Sequence, residues 1–477
     1  MITYDLQKRG KEALYVFLYR SIRDDVLNGT IHPHEKLPSK RALAEHLGVS
    51  VITVENAYAQ LVTEGYIYSQ KAKGFYANKV EAEVKEKATK SEYLEEKKHW
   101  EEMEEEDHEY LIDFKANKSS LTHFPASIWA KKVREVMSLQ DEELLKTVPY
   151  NGLFVLRKAI AEYLYRFRGL EVYPNQIVIG AGTEYLYGRL MQIFDKNTIM
   201  AIEDPGYKKF SDISRSCGIS WRYIPIDDSG MRVDMLKESG ASVVHASPGN
   251  HFPTGIIMPV ARRQELLRWA KEKDEHYIVE DDYDCELRYT GKMIPTLFAK
   301  DDSESVIYMN TFSKSLVPSI RISYMVLPKK LMHRYQDSLS FYSCTVSSFE
   351  QMALAKFISE GYFERHINRM KNHYKAQRHE ILKAFSESDL MKIATIQENN
   401  AGTHFLLKVK TELSDEEIRQ RSMKEDMFLA LLSDYCTIPQ EKWENTIVIN
   451  YASIEKEKIQ LAVSLLEKIF ETDLIKK

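Results

Sequence analysis

The chain has 477 residues, of which 44% are hydrophobic and 29% are charged, and its formal net charge is −5. This length allows two to four domains, and the composition is typical of a soluble globular protein. No run of about 18 apolar residues occurs, so no membrane span is expected, and the N-terminus lacks the apolar core of a signal peptide. The four cysteines are scattered without metal-ligand spacing, which predicts free thiols in the cytoplasm and no metal site.

The charge is unevenly distributed along the chain. Residues 1–79 carry 11 basic and 8 acidic side chains, whereas residues 80–111 carry 5 basic and 13 acidic ones. We therefore predict three parts with different roles: an N-terminal domain over 1–79, an acidic linker over 80–111 and a large domain over 112–477. The linker contains no glycine and no proline. Its composition is compatible with a solvated helix and equally with a disordered tether.

The first segment has the pattern of a helix-turn-helix module. Apolar residues at helical spacing predict a helix over 12–27. Ser39 and Ser50 stand at N-cap positions on either side of Gly48. This arrangement predicts two short helices joined by a glycine-containing turn.

Two strand-like pieces, 66–70 and 75–78, follow and flank the basic turn 71–74, as in a winged domain. Together with the string Leu-Pro-Ser-Lys-Arg…Leu-Gly-Val-Ser over 37–50, they resemble the winged helix of GntR-type regulators. The resemblance implies that the helix over 50–61 enters the major groove and that nearby lysines and arginines contact phosphates. The residues it places against DNA are Lys36, Ser39, Lys40, Arg41, Ser50, Val51, Thr53, Glu55, Asn56, Lys71 and Lys73.

The recognition helix departs from the GntR pattern at two positions. Val51 and Glu55 stand where GntR-type domains usually carry arginines. Glu55 would repel phosphates, although a carboxylate can accept a hydrogen bond from a cytosine amino group. We therefore expect the affinity for DNA to depend in part on dimerisation.

From residue 112 the chain alternates helical and strand-like pieces, which predicts an α/β domain with a mainly parallel sheet. In two stretches, charged side chains stand directly beside apolar, strand-like runs. Such side chains are costly to bury unless they have a hydrogen-bonding or charged partner. The first, 308–326, places Lys314 between two serines and Arg321 seven residues later. The second, 277–289, places several acidic residues directly after an apolar run. A lysine among hydroxyls, with an arginine to hold an anion, suits a Schiff base with the aldehyde of pyridoxal phosphate.

The string Thr311-Phe-Ser-Lys-Ser…Arg321-Ile-Ser-Tyr resembles the cofactor-lysine segment of fold-type I aminotransferases, in particular the branch in MocR/GabR-type transcription regulators. The resemblance implies a fold-type I aminotransferase-like α/β domain behind a winged helix-turn-helix, with pyridoxal phosphate on the lysine. The residues it assigns to the cofactor are Gly182, Thr183, Glu184, Tyr207, Asn250, His251, Asp281, Tyr283, Thr311, Ser313, Lys314 and Arg321.

The resemblance also implies a role for each group. Backbone N–H groups of the glycine-rich turn at 180–184, two hydroxyls and Arg321 hold the phosphate. Tyr207 stacks on the pyridine ring, and Asp281 keeps the ring nitrogen protonated. Tyr283 contacts the phenolic oxygen together with a side chain of the pair 250–251, for which the asparagine is slightly preferred.

The effector is less defined than the cofactor. GABA-responsive members of the family bind the effector carboxylate with two arginines; here Lys209 holds the first place, and 433–437 contains no arginine. A lysine lacks the bidentate fork of arginine. The resemblance implies a head-to-tail homodimer on operator DNA that senses an amine, an amino acid or pyridoxal phosphate itself through an aldimine at Lys314. The alternatives are a working aminotransferase with a DNA-binding appendage and a regulator that only binds, and thereby senses, free pyridoxal phosphate.

Overall fold

The protein is described here by a computed structural model. The described residues are 2–10, 12–80, 108–115, 124–138, 142–290, 293–452 and 454–475. Two compact units, Met1–His108 and Glu109–Lys477, make up the chain. Most of the predicted linker lies outside the described residues, so its two predicted forms and the exact domain limits stay predictions.

The described part of the N-terminal unit consists of helices followed by a β-hairpin. Its elements are α1 (Leu14–Leu27), α2 (Lys40–Leu47), α3 (Val51–Thr63), β1 (Ile67–Gln70) and β2 (Gly74–Ala77). Ser39 accepts a hydrogen bond from the N–H of Ala42 at 3.2 Å, and Ser50 accepts one from Thr53 at 3.1 Å. Both predicted N-caps are therefore confirmed. Gly48, between α2 and α3, has a φ of +66°, a conformation that glycine adopts without steric cost.

The three helices and the hairpin share one apolar core. Leu18 and Ile22 of α1 are buried against Val54 and Leu61 of α3. The hydroxyl of Tyr58 donates to the carbonyl of Pro38 at 3.0 Å. This bond links the middle of α3 to the residue before the N-cap of α2, and it fixes the angle between the two helices.

The large unit contains strands throughout its length. Its described strands are β3 (Ile112–Asp113), β4 (Ile177–Gly180), β5 (Ile199–Asp204), β6 (Ser220–Asp227), β7 (Gly230–Met231), β8 (Val243–Ala246), β9 (Tyr277–Asp281), β10 (Val306–Thr311), β11 (Ser323–Val326), β12 (Ala394–Gln397), β13 (His404–Val409), β14 (Met427–Phe428), β15 (Ala430–Leu431) and β16 (Thr446–Asn450). Eight of them form one sheet in the order β4-β11-β10-β9-β8-β5-β6-β7. The pairs from β10 through to β6 are parallel, whereas β11 is antiparallel to both of its neighbours. The predicted mainly parallel sheet is confirmed.

Helices cover both faces of this sheet. The described helices of the large unit are α4 (Ala126–Ser138), α5 (Phe154–Arg168), α6 (Thr183–Gln192), α7 (Lys209–Ser216), α8 (Val233–Glu238), α9 (Val260–Lys271), α10 (Phe312–Ser315), α11 (Lys329–Leu339), α12 (Ser348–Ser359), α13 (Tyr362–Ser386), α14 (Asp415–Lys424), α15 (Ile459–Ile469) and α16 (Glu471–Ile475). Successive residues of β4 point to opposite faces. Accordingly, Ile177 and Ile179 join the core under α5 and α12, and Val178 joins the core under α6 and α11. None of the described helices is both long enough and apolar enough to span a bilayer.

A second, antiparallel sheet has the order β12-β13-β16-β15. It packs with α15 and the end of α13 in a separate apolar core that includes Phe385, Phe405 and Leu466. The short strand β3 pairs in parallel with β14, with Ile112 opposite Met427. The first described residues of the large unit are thereby held on its C-terminal part.

We predict that Ser50→Ala destabilises α3, because the first turn loses the acceptor for the N–H of Thr53. An N-cap of this kind contributes ~1 kcal/mol, so amide hydrogen exchange in α3 should accelerate about fivefold. The matched control is Ser414→Ala, which removes a capping-box serine from α14. Unchanged exchange in α3 of the Ser50 variant would contradict the capping role.

Candidate functional site

The residues predicted to hold a cofactor follow the carboxyl ends of adjacent strands. Tyr207 follows β5, Asn250 follows β8, Tyr283 follows β9 and Lys314 follows β10, while Asp281 is the last residue of β9. Because the carboxyl ends of parallel strands meet at one edge, residues more than 100 positions apart in sequence reach the same place.

Lys314 lies in the single turn α10. The side-chain oxygen of Thr311 caps this turn by accepting a hydrogen bond from the N–H of Ser313 at 3.1 Å. Burial lowers the pKa of Lys314, and the carboxylate of Asp284 opposes this shift. A lowered pKa increases the fraction of neutral amine, which is the nucleophilic form of lysine.

Asp284 is a site residue that sequence reasoning missed. Its Oδ2 accepts a hydrogen bond from Nδ2 of Asn250 at 2.6 Å. Burial raises the pKa of Asp284 to about 7, although the hydrogen bond from Asn250 and the charge of Lys314 both lower it. A Cβ at Gly402 would lie 2.6 Å from Nδ2 of Asn250 and 2.9 Å from Oδ2 of Asp284, so this contact requires a glycine there. The signal in the sequence was the acidic run itself, but the run does not indicate which acid faces the lysine.

Asp281 is oriented by two residues that sequence reasoning also missed. Its Oδ2 accepts a hydrogen bond from the hydroxyl of Tyr187 at 2.9 Å, and Nε2 of His245 lies 3.5 Å from the same oxygen. The other oxygen, Oδ1, is buried and has no hydrogen-bond partner among the described residues. One oxygen of Asp281 is therefore fixed by the protein, and the other is left for a ligand N–H.

The glycine-rich turn brings backbone N–H groups and a guanidinium together. Gly182 precedes α6 with a φ of +97°, and a Cβ there would lie 2.2 Å from Nη2 of Arg321. The first N–H groups of a helix lack intrahelical acceptors, so with an arginine beside them they can bind an anion such as a phosphate. Arg321 donates to Oε2 of Glu184 at 2.5 Å, and Nζ of Lys209 lies 3.6 Å from Oε1 of the same carboxylate. The sequence predicted a role only for the backbone of Glu184, and its side chain in fact contacts both cations.

Asn250 and His251, which the sequence left as alternatives, have different surroundings. Nδ1 of His251 lies 2.7 Å from Oγ1 of Thr254, and Nε2 lies 3.5 Å from Oε2 of Glu203. Burial lowers the pKa of His251 to about 3, so the ring is neutral. Asn250, in contrast, contacts Asp284, the carboxylate that acts on the lysine. This geometry favours Asn250 for the contact with the phenolic oxygen.

The remaining polar atoms fit a ring that carries a phosphate, a phenolic oxygen and a basic nitrogen. Tyr207 is half-buried, and burial followed by the charge of Glu184 raises its pKa to about 12. The hydroxyls of Tyr283 and Ser313 and Oδ1 of Asn250 are buried without hydrogen-bond partners among the described residues. Buried polar groups normally have at least one hydrogen-bond partner. A bound pyridoxal phosphate would supply the partners that these groups need.

The predicted DNA-binding residues lie on the surface of the N-terminal unit. Lys36, Ser39, Arg41, Ser50, Val51, Glu55, Asn56, Lys71 and Lys73 are exposed, whereas Lys40 and Thr53 are partly buried. Nζ of Lys40 lies 2.6 Å from Oε1 of Glu55. This pair partly neutralises the acidic residue on the recognition helix, and it occupies one of the lysines assigned to phosphate.

The fold and the site define a pyridoxal phosphate-binding protein with an N-terminal winged helix-turn-helix domain. Residues 14–77 match the model of the gntR family of bacterial regulatory proteins, and residues 110–466 match aminotransferase class I and II. The chain therefore belongs to the MocR/GabR-type family of transcription regulators, and its cofactor is pyridoxal phosphate.

Individual relatives agree with this assignment. The chain is 36% identical to the HTH-type transcriptional regulator YdeL of Bacillus subtilis (strain 168), over 98% of each chain. It is 30% identical to the probable rhizopine catabolism regulatory protein MocR of Rhizobium meliloti, over 95% of this chain and 93% of the relative. The crystal structure of Pyrococcus horikoshii kynurenine aminotransferase has a TM-score of 0.68 at 23% identity, and it covers 85% of this chain and 97% of its own. That likeness shows the shared fold.

We predict that Gly182→Ala weakens the binding of pyridoxal phosphate by roughly 10-fold or more, since the added Cβ displaces Arg321 and a φ of +97° strains alanine. Titration of the cofactor-free protein, followed by absorbance, measures this loss. Gly188→Ala is the matched control, because a Cβ at Gly188 meets nothing within 4 Å. Equal affinities of the two variants for pyridoxal phosphate would rule out a phosphate-binding role for the turn at Gly182.

We also predict that Glu203→Gln changes how stability depends on pH. Burial, opposed by the N–H of Ser247, raises the pKa of Glu203 to about 8 from an ordinary value of 4.5. A raised carboxyl pKa contributes stability below pH 4.5 that is lost as the pH rises through 8. The variant should therefore remove a slope of up to about 1.4 kcal/mol per pH unit between pH 5 and 8.

Denaturant unfolding of the large unit across this pH range measures the slope for Glu203→Gln and for the wild type. Glu171→Gln, which changes an exposed carboxylate, serves as the control and should keep the wild-type slope. A Glu203 variant with the wild-type slope would show that this carboxyl does not titrate as described.

Proposed function

We propose that this protein binds operator DNA through its winged helix and senses an amine or amino acid through an aldimine at Lys314. The observation that carries the proposal is a lysine with a lowered pKa beside Asp284, in the same chain as an exposed recognition helix. Exchange of the amine on the cofactor would alter the contacts around the site. A two-state equilibrium of the DNA-binding units would then shift by the difference in effector affinity between the states.

In this proposal each group at the sheet edge has one task. Lys314 would supply the nucleophilic amine, and Oδ1 of Asp281 would bind the protonated ring nitrogen, which would keep the ring an electron sink. Tyr207 would stack on the ring, while Asn250 and Tyr283 would bind its phenolic oxygen. The groups proposed for the phosphate are the backbone of Gly182, Thr183 and Glu184, the hydroxyls of Thr311 and Ser313, and the guanidinium of Arg321.

For DNA we propose that α3 lies in the major groove. Lys71 and Lys73 of the hairpin would contact phosphates on one side of α3. Lys36 and Arg41 would contact phosphates on the other side. Val51 would replace the usual arginine contact with an apolar one, as to a thymine methyl group. We also propose a head-to-tail homodimer in the cytoplasm, because two winged helices match the two half-sites of an operator.

The second candidate function is that of a working aminotransferase with a DNA-binding domain, and the assembled cofactor groups favour it. Lys209, at the first place of the family's carboxylate clamp, is 65% exposed and contacts Glu184. The second place, 433–437, has no arginine. We therefore propose that the protein performs at most a half-reaction. Sustained turnover of an amino acid with a keto acid would support the enzyme instead.

We predict that Lys314→Ala abolishes the absorbance of the internal aldimine and leaves folding and DNA affinity without effector unchanged. The lysine is needed for the covalent link and not for the core, because its neighbours Phe312 and Leu316 carry the packing. Lys329→Ala, on the exposed start of α11, is the control and should keep the absorbance. A Lys314→Ala protein that kept the absorbance would refute the assignment of the lysine.

A further inference from the structure

A small cavity of about 30 Å³ lies beside the hydrogen bond between Asn250 and Asp284. Both of these residues line it, together with Arg168 and Arg288. None of the roles proposed so far uses either arginine. Asp284, which lines the cavity, also acts on the charge of Lys314.

The two arginines have unequal partners. Nη2 of Arg168 donates to Oδ2 of Asp282 at 2.6 Å, and both side chains are almost completely buried. Nε of Arg168 and Nε and Nη1 of Arg288 are buried, and none of these atoms has a hydrogen-bond partner among the described residues. A buried cation without a partner is strongly destabilising. Arg168 has Asp282 as its partner, so the arginine that lacks one at this cavity is Arg288, and an anion would supply the acceptor for its buried N–H groups.

The position of Arg288 is fixed by its backbone. Arg288 forms a β-bridge with Ala401, and the N–H of Tyr289 donates to the carbonyl of Asn400 at 3.0 Å. The chain segment that carries Arg288 is thus bonded to the segment just before Gly402, which contacts the Asn250–Asp284 pair. Arg288 is therefore held beside the cavity by a hydrogen-bonded backbone.

The other charged groups at the cavity leave it positive. Asp282 is paired with Arg168 and also accepts from the hydroxyl of Tyr308 at 2.9 Å. Burial raises the pKa of Asp284 to about 7, so its charge near neutral pH is only partial. Burial also raises the pKa of Cys285, which keeps this thiol neutral. Arg288 therefore has no neutralising carboxylate of its own among the described residues.

The volume restricts the anion. About 30 Å³ corresponds to roughly two water-sized probes. A carboxylate oxygen fits such a space and accepts a charge-assisted hydrogen bond from a guanidinium N–H.

We propose that Arg288, with Arg168 beside it, binds the carboxylate of the effector while the amine of the effector reaches Lys314. This inference rests on the proposed sensing role of Lys314, and it narrows the effector from amines in general to amino acids. It also supplies the arginine that is absent at Lys209 and at 433–437. In this arrangement the carboxylate of the effector lies in the cavity beside the hydrogen bond between Asn250 and Asp284.

The test uses the cofactor-loaded full chain and follows its absorbance during titration with amino acids, each paired with the amine that lacks its carboxylate. Arg288→Gln should raise the half-maximal concentration of a responding amino acid roughly 10-fold or more and leave that of the paired amine unchanged. Arg288→Lys should be intermediate, and it also serves if the glutamine variant fails to fold. Arg369→Gln, at an exposed position of α13, is the matched control.

Formate provides a readout that does not depend on the lysine. It should raise the midpoint of thermal unfolding of the wild type and of Lys314→Ala, and not that of Arg288→Gln. Equal formate shifts in all three proteins, or an equal loss of response to amino acids and amines, would overturn the site. If no amine changed the absorbance of the wild type but the formate shift still required Arg288, the anion site would stand and the proposed sensing function would fall.

Discussion

The large unit depends on polar groups that are buried at the carboxyl edge of a mainly parallel sheet. Lys314, Asp284 and Asn250 form the centre of this group, and each changes the charge or the hydrogen bonding of the next. Removal of such groups from water is costly unless they satisfy one another or a ligand. In the structure these groups satisfy one another only in part. The need to satisfy the remaining buried polar groups makes this edge of the sheet a binding site.

This constraint explains why supporting residues matter as much as the groups that would touch the cofactor. Tyr187 and His245 fix one oxygen of Asp281, and Gly402 makes room for the bond between Asn250 and Asp284. These residues come from different helices and strands, and they hold the site residues within a narrow geometry. In the N-terminal unit the bond from Tyr58 to Pro38 has a similar role, since it sets the angle of the recognition helix.

Much of the fold could be predicted from local patterns. The caps at Ser39 and Ser50 and the turn at Gly48 depend on nearest neighbours, and the structure has all three. The antiparallel direction of β11 was not predictable, because strand direction depends on how the chain returns to the sheet. For the same reason the sequence could not show that Glu184, Arg321 and Lys209 form one cluster.

The sequence alone determined the order of the two domains and the cofactor, because these are encoded in short motifs whose residue types the chemistry requires, and it singled out Lys314 as the lysine proposed to react. Only the tertiary structure decided which acid faces Lys314, which of Asn250 and His251 lies beside that acid, and that Arg168 and Arg288 share a cavity. Those facts depend on distances between side chains far apart in the chain. Burial then determines their charge, and burial is a property of the folded chain as a whole.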